Sequence, residues 1–313
     1  MSVGVIGHVM NPTRRDAVAM AVSAESAGAD WIGLADAFWW RDVWMLLENV
    51  AAATSSIEIG PAMTNPYLRH PFHTASALAT LQELAGPRTF VGIAAGGSEV
   101  TGAAGVQRLD APAKVAELVD LLRGLSDGRP LDRRSGRQLD IPIGPVPILV
   151  TGRGSQMLRT AGAHADRVLL WSIPDSDLDR SVAVVQAGAA GRDTAPELAW
   201  APLVAHDEST RRSILNAAVY ASINTAASVR ESWGLTPERV EAIRAALVGG
   251  GTEAAIELVP RAALDDLVGA DPAPDRVAAR GREIGATSIV VPCYDPVTLP
   301  DHITWARAVE RRL

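Results

Sequence analysis

Along most of the chain, short apolar runs rich in β-branched residues alternate with longer amphipathic segments. This is the pattern of parallel strands joined by crossover helices. The expected strands are Val3–His8, Trp31–Ala35, Ile57–Met63, Thr89–Ala94, Pro147–Val150, Arg167–Trp171, Leu198–Val204 and Ser288–Pro292. The expected helices run over Thr13–Ala27, Asp42–Thr54, Pro71–Leu84, Pro112–Leu125, Ser155–Ala163, Ser176–Ala190, Asp275–Ile284 and Leu299–Arg312. Thr13 suits an N-cap, Gly28 a helix end and Pro71 a first helical turn.

Two stretches interrupt the rhythm. Residues 127–146, rich in Arg, Gly and Pro, predict an irregular or hairpin excursion. Between Asp207 and Val268 no strand-like run occurs, which predicts an insertion of two to four helices after the seventh strand. Eight strands alternating with eight helices is the arithmetic of a (β/α)₈ TIM barrel, and 313 residues suit one such α/β domain with an insertion. An open doubly wound sheet is the competing architecture.

Composition narrows the function. Apolar residues make up 48% of the chain and charged residues 21%, enough for a sizeable core. The net charge is −7, with no basic block interleaved with aromatics, which argues against nucleic-acid and membrane-surface partners and for a small-molecule substrate. Cys293 is the only cysteine, so an intrachain disulfide or a cysteine-rich metal site is excluded. No run reaches the roughly 18 apolar residues of a membrane span, and the expected location is cytoplasmic. The only lysine, Lys114, falls on a helix, which removes Schiff-base aldolases and P-loop enzymes. His70 and His73 lack a third ligand at metal spacing, and there is no G-x-S-x-G elbow.

In a barrel of this type, reactive residues sit where strands end and loops begin. Thr151-Gly152-Arg153-Gly154-Ser155 follows an apolar strand and opens a helix. Its glycines, free helix amides and Arg153 suit a phosphate, although a turn that needs two glycines also accounts for them. Asp175 lies some twenty residues beyond Gly152-x-Gly154, so a dinucleotide-binding half-domain is a rival from this piece alone. Ala94-Ala95-Gly96-Gly97-Ser98-Glu99 leaves room for a planar ring or makes a tight turn. Asp36 ends the second strand and is followed by Phe38, Trp39 and Trp40, which wall a flat-ligand pocket or pack into the core.

Several blocks together resemble the luciferase-like superfamily of bacterial luciferase and F420-dependent reductases. They are Asp36 with Arg41-Asp42, the run Ala53 to Gly60, Thr64-Asn65-Pro66-Tyr67-Leu68-Arg69-His70-Pro71, Ala79 to Gly86, Val91-Gly92-Ile93, and Thr151 to Asp166. The methylene-tetrahydromethanopterin reductase-like branch is the most similar. The resemblance implies a TIM barrel that binds coenzyme F420, or FMN as the alternative. It also implies a bulge with a non-prolyl cis peptide near Ala62-Met63-Thr64. The cofactor contacts it implies are Asp36, Ala62, Met63, Thr64, Ala95, Gly96, Gly97, Thr151, Gly152, Arg153, Gly154 and Ser155.

Glu99, His8 or Asp36 would supply the proton for hydride transfer to a C=C or C=N group. Two departures from the family pattern disfavour sugar-phosphate dehydrogenation. Ala37 stands where that branch has His, and Gly97 where it has an acid. Cys293 does not replace the reactive cysteine of luciferase. An FMN-dependent monooxygenase and a catalytically silent flavin-binding barrel are the alternatives, and the resemblance implies a homodimer.

Overall fold

The computed structural model describes residues 1–7, 12–132, 134–205, 208–269, 271–293 and 295–313, with all of their side chains except those at 98, 99, 208 and 209. Among the described residues there are eight strands: β1 (Ser2–Gly7), β2 (Trp31–Leu34), β3 (Glu58–Pro61), β4 (Val91–Ile93), β5 (Ile148–Thr151), β6 (Arg167–Trp171), β7 (Glu197–Ala201) and β8 (Ser288–Cys293). All pairings are parallel, in the order β3-β2-β1-β8-β7-β6-β5-β4.

The two edge strands meet through backbone bonds. Phe90 N–H donates to Ile59 O at 3.0 Å, Thr64 N–H to Gly92 O at 2.9 Å and Ala94 N–H to Thr64 O at 2.9 Å. The sheet therefore closes on itself as a TIM barrel, and an open doubly wound sheet is ruled out.

The crossover helices are α1 (Arg14–Ser26), α2 (Val43–Ala53), α3 (Pro71–Ala85), a short α4 (Ser98–Ala103), α5 (Ala111–Ser126), α6 (Ser155–His164) and α7 (Asp175–Gly188). Thr13 and Asp16 cap α1 reciprocally, so that two otherwise unsatisfied amides find acceptors. Pro71 occupies the first turn of α3, as its fixed φ favours. After β7 come α8 (Glu208–Asn224), α9 (Ala227–Ser232), α10 (Pro237–Ile256, broken at Gly251) and α11 (Arg261–Leu267). They share an apolar cluster of their own, with Ile214, Val219, Trp233, Ile243 and Leu267 buried in it. Then α12 (Pro274–Glu283) and α13 (Leu299–Glu310) complete the ring. The excursion at 127–146 contains the antiparallel bridge Asp132–Arg137. No helix among the described residues is long and apolar enough to cross a membrane.

Inside the barrel a layer of large side chains fills the space: Ile6, Trp31, Phe90, Leu149, Leu169 and Val290. The Trp31 and Phe90 rings meet edge to face, with centroids 5.5 Å apart at 73°. Beneath them, at the strand starts, Arg167 on β6 reaches Glu58 on β3 at 2.5 Å and Glu197 on β7 at 3.1 Å. This pair closes the floor of the barrel.

The expected third strand ended at Met63, but β3 stops at Pro61. There the chain bulges inward, with a cis peptide between Ala62 and Met63, and Ala62 N–H donates to Leu34 O at 2.6 Å. Both neighbouring strands carry glycine opposite the bulge. A Cβ on Gly33 would lie 2.3 Å from Ala62 Cβ, and one on Gly92 would lie 2.4 Å from Pro61 O and 2.8 Å from Met63 Sδ. The helix α4 was not foreseen; only six residues long, it offers too short a stretch for a periodic pattern to register.

Two outcomes follow from this packing. Gly92→Ala forces the bulge outward and is expected to destabilise the fold by about 1–3 kcal/mol, the usual range for overpacking a tight interior. Chemical denaturation measures the loss, and an unchanged midpoint contradicts the packing argument. Arg167→Met removes the charge that accompanies a half-buried carboxylate, at an expected cost of about 3 kcal/mol near neutral pH. Burial pushes the Glu58 carboxyl above its ordinary range even with Arg167 beside it. A folded-state pKa above the unfolded value means the proton is held more tightly in the folded chain, so stability rises as pH falls through that raised value. The Arg167→Met deficit is therefore expected to shrink in urea denaturation as pH falls from neutrality through the raised Glu58 value, and Arg167→Met/Glu58→Gln to recover much of it. A deficit indifferent to pH refutes the assignment to Glu58.

Candidate active site

At the C-terminal end of the barrel, the bulge delivers Thr64, fully buried, back into register with β4. The next residues form a chain of local bonds. Asn65 Oδ1 accepts from Tyr67 N–H at 3.1 Å and Leu68 N–H at 3.0 Å, which folds the segment into a turn. Arg69 pairs with Asp42, whose other carboxylate oxygen accepts from Trp44 N–H at 2.9 Å at the start of α2. His70 Nδ1 accepts from Phe72 N–H at 3.2 Å and caps α3. Most residues of the Thr64–Pro71 block thus have a structural duty, and Asn65, Leu68, Arg69 and His70 among them line one side of a cleft.

That cleft measures about 410 Å³, and Asp36 lies in it with Trp40, Asn65, Arg69, His70 and His73. Asp36 lies two residues beyond the end of β2 and is half-buried. Burial pushes its carboxyl above the usual range, while the Thr64 hydroxyl and the Arg69 guanidinium pull the other way. A carboxyl so placed keeps its proton to higher pH than a surface aspartate. Phe38 and Trp39 stack edge to face at 4.9 Å, and both are exposed, 52% and 46% respectively. Phe38 and Trp40 line the cleft, so the aromatic run forms a rim and not core. His70, His73 and Arg69 were not singled out from sequence as neighbours of Asp36; for Arg69 and His70 their place in the Thr64–Pro71 block was the available signal, and His73 lies two residues beyond it.

After β4, Ala95, Gly96 and Gly97 lead into α4. Gly96 has a φ of +76°, and a Cβ there would press on Thr101 and Asn65, so the strand end is compact and free of side chains. Arg108 Nη1 donates to Gly96 O at 2.8 Å and ties the strand end to the segment before α5.

After β5, the Thr151 hydroxyl donates to Leu169 O at 2.7 Å and is engaged within the barrel. A Cβ on Gly152 would meet Met157 Cβ at 2.6 Å, so this glycine lets α6 pack close. Gly154 precedes α6 with no side-chain cap, which leaves the first helical amides open. Ser155 Oγ accepts from Arg180 Nη1 at 2.8 Å. Burial pulls the Arg153 guanidinium down to about 10, and Arg153 forms no ion pair among the described residues. Beside β6, Ser172 has a φ of +53°, a strained value for a residue with a side chain, and no sequence signal marked it.

The ends of β2, β3, β4 and β5 therefore carry the expected residues Asp36, Ala62 to Thr64, Ala95 to Gly97 and Thr151 to Ser155 at one end of the barrel. His8 lies outside the described residues, as does the side chain of Glu99. Cys293 is buried, its thiol pushed up to about 12 by burial, which leaves it a poor nucleophile.

Comparison with known proteins gives the chain relatives along almost its whole length. The chain is 28% identical over 285 residues to 5,10-methylenetetrahydromethanopterin reductase of Archaeoglobus fulgidus, covering 85% of this chain and 86% of that one. The coenzyme F420-dependent tetrahydromethanopterin reductase of Methanopyrus kandleri superposes with a TM-score of 0.77 at 20% identity, over 100% of this chain and 98% of the other. An F420-dependent secondary alcohol dehydrogenase, solved with an F420–acetone adduct, superposes with a TM-score of 0.74 at 19% identity, over 98% of each chain. The family model for luciferase-like monooxygenases matches residues 2–290, and the chain belongs to that family.

Proposed function

We propose that this chain is an F420-dependent oxidoreductase that transfers a hydride between the deazaflavin and a C=C or C=N group of a small molecule. The observation that carries the reading is a side-chain-poor shelf at Ala62, Gly92 and Gly96 sharing one end of the barrel with Arg153, which lacks an ion pair among the described residues. A flat ring with an anionic tail fits that combination, because the ring needs close backbone approach and the tail needs a cation and open amides. The relatives named above support the choice of F420 over FMN.

When bound, reduced F420 supplies the hydride. Ala62, Met63, Thr64 and Ala95 to Gly97 would hold the ring, and Gly152 to Ser155 with Arg153 the phosphate. Asp36, protonated to higher pH than usual, donates the proton at its carboxyl oxygen, with the Arg69 guanidinium lining the same cleft. Trp40 and Leu68 give the same cleft an apolar side that excludes water from the donor. Glu99 and His8 are the other carriers of the proton within this proposal.

Fluorescence titration tests the cofactor, with F420 expected to bind below about 100 μM and more tightly than FMN; failure of both to bind overturns the reading. Arg153→Ala is expected to weaken F420 about tenfold and to leave the phosphate-free deazaflavin unaffected. Asp36→Asn is expected to slow turnover by about 10²-fold or more with cofactor affinity retained. Because the donor must be protonated, the wild-type rate should fall as pH rises through the elevated Asp36 value, and a rate profile unchanged by Asp36→Asn removes it from the proton step.

A further inference from the structure

Two carboxylates and one guanidinium share the cleft beyond the end of β2. Asp36, Asp42 and Arg69 all line it, and His70 and His73 are its other titratable groups. A cation placed between two carboxylates favours the charged form of whichever one it pairs with. Here the pairing goes to Asp42. Its Oδ1 accepts from Trp44 N–H at 2.9 Å and from Met45 N–H at 3.4 Å in the first turn of α2, which fixes the direction of the carboxylate. Its Oδ2 is then turned to the Arg69 guanidinium. Arg69 in turn follows directly on the backbone turn that Asn65 folds, so both partners of the pair are anchored in local structure.

Asp36 is left without an ion pair among the described residues. Neither histidine supplies one: both are exposed, and His70 Nδ1 accepts from Phe72 N–H. Burial favours the neutral form of the Asp36 carboxyl, the Arg69 charge opposes this, and the Asp42 charge adds to the effect of burial.

We propose that Asp42 is a positioning residue for the proton step: by holding Arg69 it denies Asp36 an ion pair and leaves that carboxyl as an acid in the cleft. The part played by Asp36 rests on the functional reading above. The division of one guanidinium between two carboxylates does not, and it can be measured without cofactor. Asp42 touches neither the proton nor the substrate in this scheme. Its duty as the cap of α2 and its duty toward Arg69 use different oxygens of one carboxylate, so the two are separable by substitution.

Asp42→Asn and Asp42→Ser make that separation, because Asn and Ser are both good N-caps but carry no charge to hold a guanidinium. Freed Arg69 then turns to Asp36 and favours its charged form, so Asp36 loses its proton at lower pH. Carboxyl ¹³C NMR of the cofactor-free protein reads this titration, with the Asp36 resonance identified by its absence from Asp36→Asn. Its midpoint is expected to fall by about one pH unit in either Asp42 variant, and to rise in Arg69→Met. In the Arg69→Met background, Asp42→Asn is expected to move the midpoint by less than half as much, the remainder being direct repulsion between the two carboxylates. With F420 bound, the high-pH fall in turnover should move down with the midpoint in Asp42→Asn. Circular dichroism confirms that both Asp42 variants keep the fold.

An Asp36 midpoint unmoved by both Asp42 variants, or by Arg69→Met, overturns the proposal. So does an Asp42→Asn shift that persists at full size without Arg69, which assigns the whole effect to direct charge. A midpoint that shifts while the turnover profile stays in place removes Asp36 from the proton step, and Asp42 with it, but leaves the cofactor reading standing. Failure of F420 to bind overturns the cofactor reading and leaves the NMR titration untouched.

Discussion

The bulge after β3 is the constraint on which the working end of this barrel depends. Eight parallel strands close only if β3 and β4 pair, yet the chain leaves the ladder between Pro61 and Thr64. Pairing survives because bonds on both sides of the bulge hold, Phe90 to Ile59 below and Thr64 to Gly92 above. The displaced backbone needs room toward both neighbours, and Gly33 on β2 and Gly92 on β4 supply it where any Cβ would collide. One local irregularity therefore shapes three strands. It turns backbone toward the barrel axis and sets Thr64 beside Asp36.

The alternation of strand and helix was legible in the sequence because it is a statement about burial, and burial follows hydrophobic pattern. The β6 strand, Arg167–Trp171, and the starts of α3, α6 and α13 fall where the pattern places them. The end of β3 was misplaced for a physical reason. Residues 61–63 are as apolar as a strand, and their hydrophobic pattern does not distinguish a bulge from another ladder position; only the resemblance placed one near Ala62-Met63-Thr64, where it is found. The distinguishing information lies in Gly33 and Gly92, far away in the chain, and has meaning only once the strands are adjacent. The same holds for Ser172, whose positive φ is imposed by its surroundings and not by a glycine.

The site was legible to a different degree. Asp36 and the loop after β5 stand out as strand-end residues, and the Thr64–Pro71 block stands out as a pattern. What the pattern encodes is largely capping and loop geometry: Asn65 folds a turn, Arg69 holds Asp42, and His70 caps α3. These duties explain why the block is specific without any ligand. They also have a consequence for chemistry, because the residues fixed in this way line the cleft that holds Asp36, and Arg69 among them favours its charged form. Structural and functional readings of the block are one reading, since the wall of the cleft and the cap of the helix are the same side chains.

Charge distribution separates the two ends of the molecule. At the floor, Arg167 is saturated by Glu58 and Glu197, and on the flank Arg280 is saturated by Asp175, Asp179 and Glu283. Guanidiniums so placed are tied into the fold and have little left to offer a ligand. Along the β5–α6 segment the pattern reverses: Arg153 and Arg159 form no ion pair among the described residues, and α6 begins without a side-chain cap. An acidic chain that takes up an anionic ligand must keep local cations out of internal pairs, because a carboxylate of its own would compete for them at far higher effective concentration. Arg153 also bears a penalty of burial without a counter-ion among the described residues. Uncompensated charge is thus confined to one loop and one helix face, the loop after β5 and the first turns of α6.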